Sequence, residues 1–146
     1  MQTLEQVKEK VQRILMEHYP TRMDKDGDFR INYESAHLFV TVRERTFGDN
    51  QKDFIVGLFC PLINSFEPTQ DLYKWVATEG QDFAFGHVQF IHPEGGYPEL
   101  LFSHTILAVD LDESELLNAV GAVLYTSVDL DTELHQKFGG QMFGKD

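Results

Sequence analysis

Phe54-Ile55-Val56-Gly57-Leu58-Phe59 is apolar on both parities. That is the pattern of a central strand covered on both faces, because successive strand side chains leave by opposite faces. A sheet therefore lies at the centre of this chain. On the N-terminal side, a loop around Gly48-Asp49-Asn50 leads back to the β-rich run His37-Leu38-Phe39-Val40-Thr41-Val42-Arg43. Before it, Phe29, Ile31 and Tyr33 alternate, and a polar turn near Glu34-Ser35 joins the two runs as a hairpin. On the other side, Pro61 predicts that the central strand frays or ends there.

Further out the period changes. Leu4, Val7, Val11, Ile14 and Leu15 form one stripe of a 3.6-residue period, and Thr3 with Gln6 makes a capping box, so a first helix runs from Thr3 to about His18. Pro20 and the run Asp24-Lys25-Asp26-Gly27-Asp28 end it. After Pro68, Leu72, Trp75, Val76 and Glu79 stand at helical spacing within Thr69 to Glu79, and Gly80 is placed to terminate that short helix. Phe83 to Ile91 and Leu100 to Val109 read as two strands, separated by the proline- and glycine-bearing stretch from His92 to Pro98. A third helix starts at Asp112 with Glu115 three residues on, carries Leu116, Leu117, Val120, Val123 and Leu124 on one stripe, and runs to about Lys137. Gly139-Gly140 closes it, and residues 141–146 read as a mobile tail.

The order is helix, three strands, helix, two strands, helix, in a single α+β domain. That order, in an acidic chain of this length with a strand-rich centre and a terminal amphipathic helix, resembles the bacterial YbjN-like family and the related class I type III secretion chaperones, over Thr3 to about Phe138. The resemblance implies a twisted antiparallel sheet packed against helices over residues 1–140, with dimerisation to a homodimer. For the secretion chaperones it also implies the holding of an extended segment of a partner protein. It supplies no catalytic residue.

Composition sets bounds of its own. A chain of 146 residues with 42% hydrophobic and 25% charged positions can build one core. Its net charge of −12 repels phosphate backbones and anionic headgroups, which argues against nucleic acid and membrane as partners. No apolar run of about 18 residues occurs, and Met1-Gln2-Thr3-Leu4-Glu5 lacks the basic start of an export signal, so a cytoplasmic location is expected. Cys60 is the only cysteine and lies in an apolar run, which points to an inert thiol rather than a nucleophile.

Two constellations invite a metal and neither completes a site. Asp24, Asp26 and Asp28 occupy positions one, three and five of an EF-hand-like loop, but Phe29 stands where that loop needs glycine and Ser35 where it needs a bidentate Glu. A solvated acidic turn is the preferred reading. His87 and His104 would face each other in a hairpin symmetric about Gly95-Gly96, and two imidazoles are too few for zinc. No cofactor is implied. GxSxG, P-loop, HExxH and GxGxxG motifs are all missing, so no recognisable catalytic set exists.

The function expected is a non-enzymatic module that binds a protein or peptide by strand addition, with apolar pockets beside the edge for selectivity. Phe83, Phe85 and Phe90, with Trp75 on the preceding helix, are the candidates to line them. Core packing is the competing use of these aromatics, and the favoured one for Trp75 taken alone. The alternative function is a small-molecule or enzymatic site assembled from His87, His104 and Glu99, and a third is a structural subunit of a larger acidic assembly.

Overall fold

The computed structural model describes residues 2–144. Helix α1 spans Leu4–His18, and the Thr3 hydroxyl and Gln6 side chain cap it reciprocally. Its stripe Val7, Val11, Ile14 and Leu15 is buried. Strands β1 (Thr21–Met23), β2 (Phe29–Tyr33), β3 (Ala36–Phe47) and β4 (Gln51–Asn64) follow. Helix α2 (Gln70–Ala77) and a 3-10 turn (Glu79–Gln81) precede β5 (His87–Ile91) and β6 (Glu99–Leu107). Helix α3 runs Glu113–Phe138, capped by the Asp112 carboxylate, and β7 (Gln141–Met142) closes the order.

All pairings are antiparallel, in the spatial order β1-β2-β3-β4-β6-β5, with β7 also on β4. One face carries the core. Phe29, Val40 and Leu58 align across three strands there, as do Val42 and Val56, under α1 and α3. The opposite face carries the row Arg22, Arg30, Phe39, Phe59, Ser103, His87, one residue from each strand except β7. The expected cover on both faces of the central strand is thus unequal. Val56 and Leu58 lie under helices, while Phe59 stacks on Phe39 at 4.9 Å and Ile55 is only 3% exposed outside the main core cluster.

Several boundaries differ from expectation for local reasons. β4 continues through Pro61, because pairing to β3 stops at Phe59, β7 takes over at Ile63, and the register against β6 shifts between Pro61 and Ile63. A proline costs no ladder bond at such an irregularity. β5 starts at His87 rather than Phe83, since Gly86 turns the chain at φ +86° where an added Cβ would lie 2.8 Å from the Phe102 ring. Helix α2 ends at Ala77 with Thr78 as its C-cap, so Gly80 falls in the 3-10 turn, buried against Trp75 and Val88.

The C-terminal segment is not a free tail up to Gly144. Gln141 pairs with Asn64 and Met142 with Ile63, and the Phe143 ring meets His37 and Phe39 edge-on. Gly140 permits this close approach, with φ +76° and room for no Cβ beside the Asn64 carbonyl. Of the expected tail, Lys145 and Asp146 lie outside the described residues.

Candidate partner-binding site

A groove runs between α2 and α3. Trp75, Glu79 and Phe83 form one wall and Leu130, Glu133 and Lys137 the other, around a concavity of about 450 Å³. A second concavity of about 610 Å³ shares Trp75, Glu79 and Lys137 and reaches Asp71, Lys74 and Phe138. The floor is aromatic. Helical spacing places Trp75 inward on α2, where it is 7% exposed, and its ring meets Phe138 edge to face at 6.3 Å. Phe83 packs against Phe102 at 5.1 Å, which fixes it at the mouth. Asp71, Glu79, Asp129 and Glu133 outnumber Lys74 and Lys137 around these concavities, so the rim is acidic.

The four aromatics expected at the site do not form one cluster. Trp75 and Phe83 share the groove. Phe90 turns instead to Phe66, Tyr73 and His92, and Phe85 meets His104 edge-on at 5.8 Å with 55% of its surface exposed. Lys137, Phe138 and Leu130 complete the groove from α3, and nothing in their spacing relative to α2 announced that packing.

Beside the groove lies the outer edge of β5. The Gln81 side chain donates to the Val88 carbonyl at 3.0 Å and the Val76 carbonyl at 3.1 Å. A carbonyl engaged from outside the sheet points away from β6, so Val88 and Phe90 direct their backbone groups to the free edge. Such an edge accepts an added strand.

The other constellations resolve differently. His87 pairs with Ser103 and His104 with Leu58, so the two imidazoles leave opposite faces rather than facing each other. Burial, then the charge of His87, lowers the pKa of His104. Glu99 pairs with Ile91 at the far end of the β5–β6 ladder, so His87, His104 and Glu99 do not converge. Asp24 closes a β1–β2 turn, its carboxylate accepting from the amides of Asp26 and Asp28 at 2.9 and 3.1 Å. The turn therefore joins two strands, not the helix to the first strand. Burial pushes the Cys60 thiol up to about 12, with the Ser127 hydroxyl opposing and Asp131 adding to the rise. Such a thiol is a poor nucleophile.

One group escaped sequence reading. Glu17, His18 and Glu113 bring an imidazole and two carboxylates together at the surface, with His18 Nε2 2.6 Å from Glu113 Oε1. They tie the end of α1 to the start of α3 and could offer three donors to a cation. Residues that far apart in sequence meet only through the packing of two helices.

This antiparallel sheet with helices on one face is similar in fold to a type III secretion chaperone. The Yersinia pestis type III secretion chaperone SycH, solved in complex with a stable fragment of YscM2, superposes with a TM-score of 0.52 at 10% identity, covering 90% of this chain and 99% of that one. Residues 2–146 match the model of the family TY-Chap1, "T3SS (YopN, CesT) and YbjN peptide-binding chaperone 1", and the chain belongs to that family. No curated protein matches the sequence. Among the described residues no helix is long and apolar enough to cross a membrane.

Proposed function

We propose that this protein is a non-catalytic, peptide-binding chaperone that holds an extended segment of a partner protein along β5, with an apolar side chain of that segment in the groove between α2 and α3. The observation that carries the reading is the adjacency, through Trp75, Gly80 and Val88, of an edge strand with no outer partner strand among the described residues to an aromatic-floored groove. Edge amides supply affinity that is indifferent to sequence, and the groove supplies selection. Its acidic rim favours a segment with lysine or arginine beside the apolar anchor.

Trp75, Phe83, Phe85 and Phe90 are assigned unequal parts. Trp75 forms the floor, Phe83 the mouth, Phe85 an exposed contact beyond it, and Phe90 supports α2 through Tyr73. Residues 1–140 are proposed as the chaperone domain, with β7 as its C-terminal fastening. The family resemblance and the free edge support a homodimer in the bacterial cytoplasm.

The test is affinity capture from a bacterial extract, followed by direct binding of the recovered segment to purified variants. Phe85→Ala removes an exposed ring and leaves the fold intact, so it should weaken binding while circular dichroism stays unchanged. If the recovered segment binds Phe85→Ala and Phe83→Leu as tightly as the parent, the groove is not where it lies. Light scattering at micromolar concentration checks the dimer, and a monomer mass would remove it.

A further inference from the structure

The sheet face opposite the helices concentrates positive charge. Four of the five arginines, Arg22, Arg30, Arg43 and Arg45, stand on it by strand parity in a chain of net charge −12. Arg22 and Arg30 are direct cross-strand neighbours. Like charges placed opposite each other destabilise a sheet unless something neutralises them. Among the described residues the salt bridges are His18–Glu113 and Lys52–Glu44, so neither guanidinium has a carboxylate partner.

The two arginines line a concavity of about 340 Å³ with Pro20, Thr21 and Asn32, and no acidic side chain among the described residues lines it. Its donors are already arranged. The Arg30 guanidinium carbon lies 4.1 Å from the Phe39 ring centroid, which fixes the plane of the fork. Arg30 Nε is buried without a partner among the described residues, so only its terminal N–H groups remain to face a ligand. Asn32 Oδ1 is paired with His37 Nδ1 at 3.0 Å. With that oxygen engaged, the Asn32 amide is left to donate.

We propose that the pocket between β1 and β2, walled by Arg22, Arg30 and Asn32, is an oxyanion site that binds a phosphate group. Two guanidinium forks match the charge of a phosphate dianion, and each can give it two parallel hydrogen bonds. The overall negative charge does not forbid this, because exposed charges beyond about 8 Å are screened at physiological ionic strength. His37 provides a reporter. Burial, then Arg30 and Arg22, lower its pKa, and among the described residues Asn32, Phe143 and Gly144 also lie against it. A dianion seated on the arginines offsets their field and raises that pKa.

The test is a titration of the isotopically labelled full chain with inorganic phosphate at constant ionic strength, following arginine side-chain and His37 ring resonances. Saturable shifts at Arg22 and Arg30, an upward move of the His37 pKa, and weakening by about tenfold or more in Arg22→Gln are expected. Arg22 is exposed, so that variant should stay folded, and circular dichroism verifies it. A parallel arm with phosphoserine distinguishes the source. Tighter binding than inorganic phosphate indicates a phosphorylated partner, and equal binding indicates the free ion. Shifts no larger than those produced by matched sodium chloride, or an Arg22→Gln variant that binds like the parent, would overturn the site.

Discussion

Trp75 on α2 and Phe138 at the end of α3 meet edge to face, with ring centroids 6.3 Å apart and planes at 71°. The contact joins the two walls of the groove, so Trp75 is at once floor and structural tie. Truncating a buried aromatic leaves a cavity and costs about 3–5 kcal/mol. Trp75→Ala should therefore lower the urea midpoint sharply, and its loss of partner would report unfolding as much as binding. An unfolding free energy within about 0.5 kcal/mol of the parent's would show that the indole is not a core element.

Gly140 is the hinge of the C-terminal fastening. Its φ of +76° and the contact its Cβ would make with the Asn64 carbonyl forbid a side chain without movement. Gly140→Ala should detach β7 from β4, exposing the chain after Phe138 to protease and speeding amide exchange at the β7 pairing. Unchanged protection there would mean that the strand tolerates the strain. Stability should fall by about 1–3 kcal/mol.

His104 and His37 supply the pH dependence. Burial is the first cause in each case, and it holds both pKa values below the ordinary 6.5. Below that value the unfolded chain takes up the proton more readily than the folded one, so their contribution is complete at alkaline pH and lost as pH falls through the folded values. The urea midpoint should drop between about pH 7 and about pH 5, and drop less in His104→Gln. A larger drop in the variant would reverse the sign of this argument.

Local signals were legible and long-range ones were not. The Thr3–Gln6 box and the stripe Val7, Val11, Ile14, Leu15 lie within one helix, and the structure has both. β1 was invisible because Thr21-Arg22-Met23 is too short to show a period. The β5–β6 register shifted by one residue, centring on Gly95 instead of between Gly95 and Gly96, and that slip sends His87 and His104 to opposite faces. Of the four aromatics read as a site, Trp75 and Phe83 share a groove. Its second wall, from Leu130 to Phe138, needed the packing of α3, which no spacing in α2 encodes.

The edge of β5 allows a prediction with opposed signs. Gln81 clasps the end of α2 to β5, donating to the carbonyls of Val76 and Val88. Each such bond contributes about 0.5–1.5 kcal/mol, so Gln81→Ala should lower stability by roughly 1–3 kcal/mol. An incoming strand, however, needs the Val88 carbonyl that Gln81 occupies. Removing the competitor should tighten capture of the partner segment even as the free protein becomes less stable. A variant that merely lost stability would bind equally or more weakly, since part of it would be unfolded. Comparing the urea midpoint with the dissociation constant of the recovered segment separates the two. If the midpoint falls and the dissociation constant rises, with weaker binding following weaker folding, the segment does not pair with β5 at Val88.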